Sequence, residues 1–245
     1  MGKTYFISDA HLGLGSREEE RKKEDRLIAF LDGIQEDAGQ LFIVGDLFDA
    51  WFEYRTVIVK GFHRLLAKLD ECTGRGIAVH YLAGNHDFWM KDFFHDELGM
   101  KTYHQPIETV IDGKRILIHH GDGLSHNDGG YRMLKKILNN PVSIRLFTWV
   151  HPDIGVSIAR SSSRKSRKHT ARKAYGEEDG MVDFARKKIG EGFDIVVMGH
   201  RHSPVCMEIG AGVYINLGDW INHNTYAELS GGRIELKEWK QGQPV

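Results

Sequence analysis

Cysteine is nearly absent: Cys72 and Cys206 are the only two in 245 residues, far apart and in no C-x-x-C spacing. That excludes a cysteine-built zinc site and offers no disulfide framework, which suits a reducing compartment. A surplus of one charge is missing too. The 33 basic and 34 acidic side chains leave a formal charge of -1, so the chain lacks the global footprint of a nucleic-acid binder and any charge argument must be local. No apolar run approaches the ~18 residues of a membrane span. The first apolar run begins at Tyr5, too early for a secretory signal, and Phe6 stands where a myristoylation pattern needs Ser or Thr. The expected location is therefore the cytoplasm. No fixed-period repeat or low-complexity linker divides the chain, whose length suits one α/β domain with an insertion.

What the chain does have is one pattern used repeatedly: a short apolar run, then carboxylates or imidazoles. Tyr5-Phe6-Ile7 leads to Asp9 and His11, and Leu41 to Val44 leads to Gly45-Asp46-Leu47-Phe48-Asp49. Ile77 to Leu82 delivers Gly84-Asn85-His86-Asp87, Ile116 to Ile118 delivers His119-His120-Gly121-Asp122, and Ile195 to Met198 delivers Gly199-His200-Arg201-His202. Continuous β-formers suit strands buried on both faces. Tyr214 to Leu217 ends likewise in Gly218-Asp219-Trp220, Asp112-Gly113 predicts a hairpin turn, and Ile234 and Leu236 predict a terminal strand. Leu27, Ile28, Leu31 and Ile34 recur at helical spacing, and a second helix is expected from Val57 to Cys72, stopped by Gly74 and Gly76. In open α/β sheets, ligands bind outside such strand ends.

Collected from those ends, Asp9, His11, Asp46, Asn85, His120, His200 and His202 offer carboxylate, amide and imidazole donors without thiolate. Such a set suits Mn(II), Fe or Zn better than a lone Mg or Ca ion. It exceeds what one ion with open positions needs, so two ions sharing a carboxylate is the natural count. His119 competes with His120, but alternation along the strand puts it on the opposite face. His63, His80 and His151 are isolated and expected to be surface or core residues.

In order, D-x-H, G-D-x-x-D, G-N-H-D, H-G-D and G-H-x-H resemble the motifs of the calcineurin-like metallophosphoesterases, over nearly the whole chain from Asp9 to Asp219. The resemblance implies a four-layer α/β/β/α sandwich with a helical insertion, a cap or lid, at about 124–176. It implies one metal held by Asp9, His11, Asp46 and His202 and another held by Asp46, Asn85, His120 and His200, with Asp46 bridging and Mn(II) the first choice of ion. It also implies that His86 protonates a leaving oxygen or steadies the transition state, with Asp87 orienting its ring.

Between His120 and His200 lie about eighty residues, against a dozen or so for an ordinary crossover. Ile144, Leu146, Phe147, Trp149, Val150, Ile154, Val156 and Ile158 are too apolar for a plain surface loop, and Pro141 and Pro152 are expected to break them into short helices. They would form either a small satellite core or an apolar lid for acyl chains. From Arg160 to Lys173, seven of fourteen residues are Arg or Lys and none is acidic. That run is either a solvated face or a patch for phosphates and anionic headgroups; few aromatics interleave, so nucleic acid is not expected.

Within the family, this insertion resembles that of the lipid A biosynthesis branch, which hydrolyses UDP-2,3-diacylglucosamine to UMP and 2,3-diacylglucosamine 1-phosphate. That resemblance makes Asp122, Asp128, Tyr131, Ser166, Thr170 and Lys173 candidate substrate contacts, with Thr170 where the branch has Asn and His86 where it has Arg. It implies a lipid-linked nucleotide substrate and peripheral attachment to the inner membrane. An acid such as His86 suits expulsion of an alkoxide, which keeps open a phosphodiesterase or phosphatase for a soluble nucleotide or small phosphoester. A non-catalytic scaffold is the other alternative, although no ligand of the set is missing.

Overall fold

The computed structural model describes residues 2–124, 135–138, 140–170 and 180–242, with 160, 162 and 164–170 described by backbone alone. Its first sheet contains β1 (Lys3–Ile7), β2 (Ala38–Val44), β3 (Ala78–Leu82) and β4 (Lys101–Tyr103). The second contains β5 (Ile107–Ile111), β6 (Lys114–His119), β7 (Ile195–Met198), β8 (Val205–Ile209) and β9 (Gly212–Asn216). Two later strands, β10 (Thr225–Ser230) and β11 (Arg233–Glu238), return to the first sheet, giving the orders β11-β10-β1-β2-β3-β4 and β5-β6-β7-β9-β8. The helices are α1 (Arg17–Ile34), α2 (His63–Gly74), α3 (Phe93–Asp96), α4 (Pro141–Phe147), α5 (Pro152–Thr170) and α6 (Gly180–Gly190).

Strand alternation builds the layers. In β1, Phe6 faces the second sheet and packs in a cluster with Phe42, Val44, Ile118, Val197 and Ile215. Its neighbours Tyr5 and Ile7 face the other way, into a cluster with Leu27 and Leu31 of α1 and Leu65 and Leu69 of α2. On the far side, Leu117, Val196 and Tyr214 pack against Met181 and Ala185 of α6. Both faces of the central strands are thus covered, which is why they read as continuous apolar runs. The result is a four-layer α/β/β/α sandwich.

Two local expectations are corrected. The second helix begins at His63 rather than Val57; Gly61, at φ 119°, breaks the chain there, leaving Val57 and Ile58 exposed. Pro141 and Pro152 do divide the apolar stretch, each opening a helix because a first-turn residue needs no N–H donor, but α5 is not short: it runs for 19 residues. Asn140 caps α4 by accepting from Val142 N.

The described part of the insertion forms no satellite core of its own. Val142, Leu146, Trp149, Ile154 and Ile158 are all at least 50% exposed. The cap is braced instead by Phe147, whose ring lies 4.7 Å from that of Phe52 and 4.8 Å from that of Trp89, and by Val156 against the main core. Among the described residues, no helix is long and apolar enough to cross a membrane.

Candidate metal centre

The loops leaving β1 and β2 stay laced together after the strands end. Asp9 N donates to Gly45 O, His11 N to Asp46 O, Leu12 N to Leu47 O, and Asp49 N back to Leu12 O, all within 3.1 Å. This extension of the parallel pairing sets Asp9 and His11 beside Asp46 and Asp49. From the second sheet, Gly199 N donates to His120 O, and Asn216 Nδ2 donates to Gly199 O at 2.7 Å, fixing the turn that carries His200 and His202.

Asp9, His11, Asp46, His200 and His202 all have positive φ, between 44° and 71°, and make up five of the seven non-glycine residues in that region among the described residues. Each such residue costs about 1–2 kcal/mol, a strain that persists only where the surroundings over-determine it. Backbone clearance is equally specific. A Cβ on Gly84 would sit 2.6 Å from Asp46 N and closer still to Asp46 Oδ1.

Three donor groups converge there: Asp9, His11 and His202; His11, Asp46 and His86; and Asp46, His120 and His200, each with its ligand atoms within 4.8 Å of one another. Asp46 Oδ2 lies 3.6 Å from His11 Nε2 and 3.4 Å from His120 Nε2, so one oxygen serves both sides. Asp46 Oδ1 is already occupied by His86 N at 2.9 Å. Asp9 Oδ1 lies 3.7 Å from His11 Nε2 and 3.6 Å from His202 Nε2, while Asp9 Oδ2 accepts from Ser8 Oγ and His200 N. Asn85 Oδ1 is 3.0 Å from His120 Nε2, on the Asp46–His120 side.

The outward nitrogens face protein oxygens. His120 Nδ1 donates to Val44 O at 2.9 Å, His11 Nδ1 faces Asp49 Oδ1 at 3.4 Å, and His202 Nδ1 faces Asp219 Oδ2 at 3.4 Å. Asp219 is fixed in turn by the N–H groups of Ile221, Asn222 and His223 on Oδ1. Burial opposes its ionisation, but the His202 contact and those N–H donors outweigh it and lower its pKa. Asp49 and Asp219 are the carboxylates that ligand spacing does not reveal. The signal for Asp219 is the glycine-then-carboxylate ending that the other strands share.

His86 and Asp87 depart from expectation. His86 Nδ1 donates to the main-chain oxygen of Asp49 at 2.9 Å, so Asp49 orients this ring, not Asp87. Burial pushes the His86 pKa down to about 4 despite Asp46. The neutral ring turns Nε2 inward as a lone pair, the reverse of a proton donor, until a phosphate anion alongside raises its pKa again. Asp87, fully buried, accepts instead from Leu47 N, Gly84 N and the Tyr81 hydroxyl, tying together the loops that carry Asp46 and Asn85. Burial, then the charge of Asp46, raises its pKa to about 6.

His119 points away from the centre, its Nδ1 accepting from Gly121 N and its ring against Phe184. Asp122 pairs with Lys135 at 2.5 Å; against burial, His120 and Lys135 lower its pKa to about 2. Ser166 and Thr170 lie in the backbone of α5, and Asp128, Tyr131 and Lys173 lie outside the described residues.

A pair of divalent cations fits this donor set. Asp9 Oδ1 and His11 Nε2 are buried without a hydrogen-bond partner, an expensive arrangement that a cation between them relieves. Burial lowers the His120 pKa, but the Asp46 carboxylate overrides it and pushes it up to about 10, whereas burial holds His200 down at about 4. Because the folded-state pKa of His120 is raised, its protonated form stabilises the metal-free fold fully below pH 6.5, and that contribution is lost as pH rises toward about 10. A cation must displace this proton. Loading should therefore release about one proton at pH 7.5, with affinity rising up to about tenfold per pH unit between 7 and 9; calorimetry in buffers of differing ionisation enthalpy measures both.

Three-donor clusters joined through Asp46 at the strand ends of a four-layer sandwich are an arrangement suited to a metal-dependent hydrolase. Similarity to known proteins agrees. The calcineurin-like phosphoesterase model matches residues 2–204. A UDP-2,3-diacylglucosamine hydrolase from Porphyromonas gingivalis is 34% identical over 253 residues, covering 96% of this chain and 97% of that one. The protein of the same name from Yersinia pestis is 28% identical, covering 95% and 97%. A solved archaeal phosphodiesterase is similar in fold, with a TM-score of 0.50 at 15% identity over 97% of this chain and 99% of its own. The chain belongs to the calcineurin-like phosphoesterase family.

Proposed function

We propose that the chain is one metallophosphoesterase domain with a cap that hydrolyses the pyrophosphate of UDP-2,3-diacylglucosamine, giving UMP and 2,3-diacylglucosamine 1-phosphate. The observation that carries this is end-to-end similarity to a relative of that name, insertion included. One ion, Mn(II) by first choice, would be held by Asp9, His11, Asp46 and His202, and the other by Asp46, Asn85, His120 and His200. Such ions supply hydroxide at neutral pH and neutralise charge on a transferring phosphoryl group.

The residues contribute the rest. Asp46 Oδ2 fixes the separation of the two clusters. His86 presents Nε2 beside it, where the substrate's own phosphate charge favours protonation and hence a hydrogen bond to the departing phosphate. Asp122, Asp128, Tyr131, Ser166, Thr170 and Lys173 are the proposed substrate contacts. The soluble-phosphoester alternative leans on His86 as an acid toward a departing alkoxide. Comparing UMP release from the lipid with cleavage of bis-para-nitrophenyl phosphate separates the two: strong preference for the lipid supports the assignment, and equal or greater diester turnover rejects it.

Val142 and Leu146, at i and i+4 of α4, and Trp149 in the turn that follows it, are 65%, 67% and 83% exposed. This row, ahead of the basic run of α5, suits peripheral attachment to an anionic inner leaflet. Burying Leu146 and Trp149 in lipid contributes about 3 kcal/mol together. Replacing both with Ser should weaken binding to anionic vesicles on the order of a hundredfold while leaving soluble diester cleavage unchanged, as vesicle sedimentation can check.

A further inference from the structure

Gly155 and Ser163 are the two buried residues among those of α5 whose side chains are described. The Ser163 hydroxyl donates to Asp49 Oδ1 at 2.9 Å, a buried bond across 114 positions of sequence. That same oxygen lies 3.4 Å from His11 Nδ1, and the main-chain oxygen of Asp49 holds His86. A hydrogen bond therefore joins the cap helix to a carboxylate that stands beside an imidazole of the metal centre, whose Nδ1 has no hydrogen-bond partner of its own. Beside the first turns of α5, a cavity of about 630 Å³ is lined by Pro152 and Ser157 on one side and Gly13 and Val57 on the other, with Asp49 in its wall.

We propose that Ser163 is a positioning residue through which the cap holds His11 in its metal-binding orientation, so that docking of α5 and cation binding support each other. The proposal rests on the assignment of His11 as a ligand. An imidazole that binds a cation through Nε2 takes its orientation from whatever holds Nδ1, and losing such an outer partner typically weakens metal binding about 10–100-fold. Here the group nearest Nδ1 is Asp49 Oδ1, 3.4 Å away and fixed from the cap side by Ser163. Linkage makes the effect reciprocal: if the docked cap favours the cation, the cation favours the docked cap by the same factor. A hydroxyl serving only to satisfy a buried carboxylate would change stability but not metal affinity.

Mn(II) titration and backbone hydrogen exchange over residues 152–163 test this in the full chain, comparing wild type, Ser163→Ala, Ser163→Thr and His11→Ala. Ser163→Ala should bind one of two Mn(II) ions about tenfold more weakly and lose the Mn(II)-dependent slowing of exchange that the wild type shows. Ser163→Thr, which keeps the hydroxyl, should restore both. Unchanged affinity and protection in Ser163→Ala overturn the proposal, as does equal weakening in Ser163→Thr. Should Ser163→Ala fail to fold, exchange in the wild type still decides: no Mn(II) effect on 152–163 overturns it. Two ions retained by His11→Ala would remove the ligand assignment itself, whereas a lost ion there beside a normal Ser163→Ala defeats the cap linkage alone.

Discussion

Asp46→Asn should reduce phosphoryl hydrolysis by at least about a thousandfold while leaving the protein folded. Changes to outer partners of metal ligands already cost about 10–100-fold, and Asp46 is more exacting: its Oδ2 stands 3.6 Å from His11 Nε2 and 3.4 Å from His120 Nε2, so both clusters lose their shared anion at once. The substitution keeps the size of the side chain, which limits damage to packing. It also removes the main group that raises the His120 pKa toward 10. The metal-free variant should therefore show His120 titrating well below that value, read by NMR alongside Mn(II) stoichiometry and turnover.

Gly84→Ala should be nearly as damaging, for a steric reason. The added Cβ would approach Asp46 N to 2.6 Å and press on Asp46 Oδ1, and neither the chain nor the carboxylate has room to yield. Overpacking of this kind costs about 1–3 kcal/mol, and shifting a reacting group by about 1 Å costs on the order of a hundredfold in rate. Thermal melting should report the first and turnover at saturating Mn(II) the second. A variant with normal turnover would mean that Asp46 is not held as tightly as described.

The parts of the molecule legible in its sequence are those where one residue type has one job. A strand covered on both faces has to be apolar throughout, so Phe6, Ile43, Leu82, Ile118 and Val197 announce their strands. Cation donors clustered at strand ends announce the centre: Asp9, His11, Asp46, His120, His200 and His202 all converge. What was hidden depends on contacts distant in sequence. Asp49 and Asp219 look like ordinary loop carboxylates until His11 and His202 are folded against them. Asp87 looks like the natural partner of His86, yet three donors from neighbouring loops claim it first. The apolar residues of the insertion suggested either a core or a lid, because hydrophobicity alone does not say which side of a helix meets protein. Val142, Leu146 and Trp149 face solvent, and Phe147 faces the body.

The cap and the centre also explain each other's composition. α5 carries no acidic residue after Asp153 and approaches the centre through Ser163, so a hydroxyl, rather than a competing carboxylate, stands next to a cluster that already holds Asp9, Asp46 and Asp49. A further anion there would add repulsion in a low-dielectric site.

The most direct test is hydrolysis of UDP-2,3-diacylglucosamine by the Mn(II)-loaded protein in ¹⁸O-labelled water, with the products weighed by mass spectrometry. With water adding to the uridine-bound phosphorus and 2,3-diacylglucosamine 1-phosphate departing, as proposed, the account predicts one labelled oxygen in UMP and none in 2,3-diacylglucosamine 1-phosphate, with both products lost in Asp46→Asn. Label in the lipid phosphate, or no UMP from a protein that cleaves a simple diester, would contradict it.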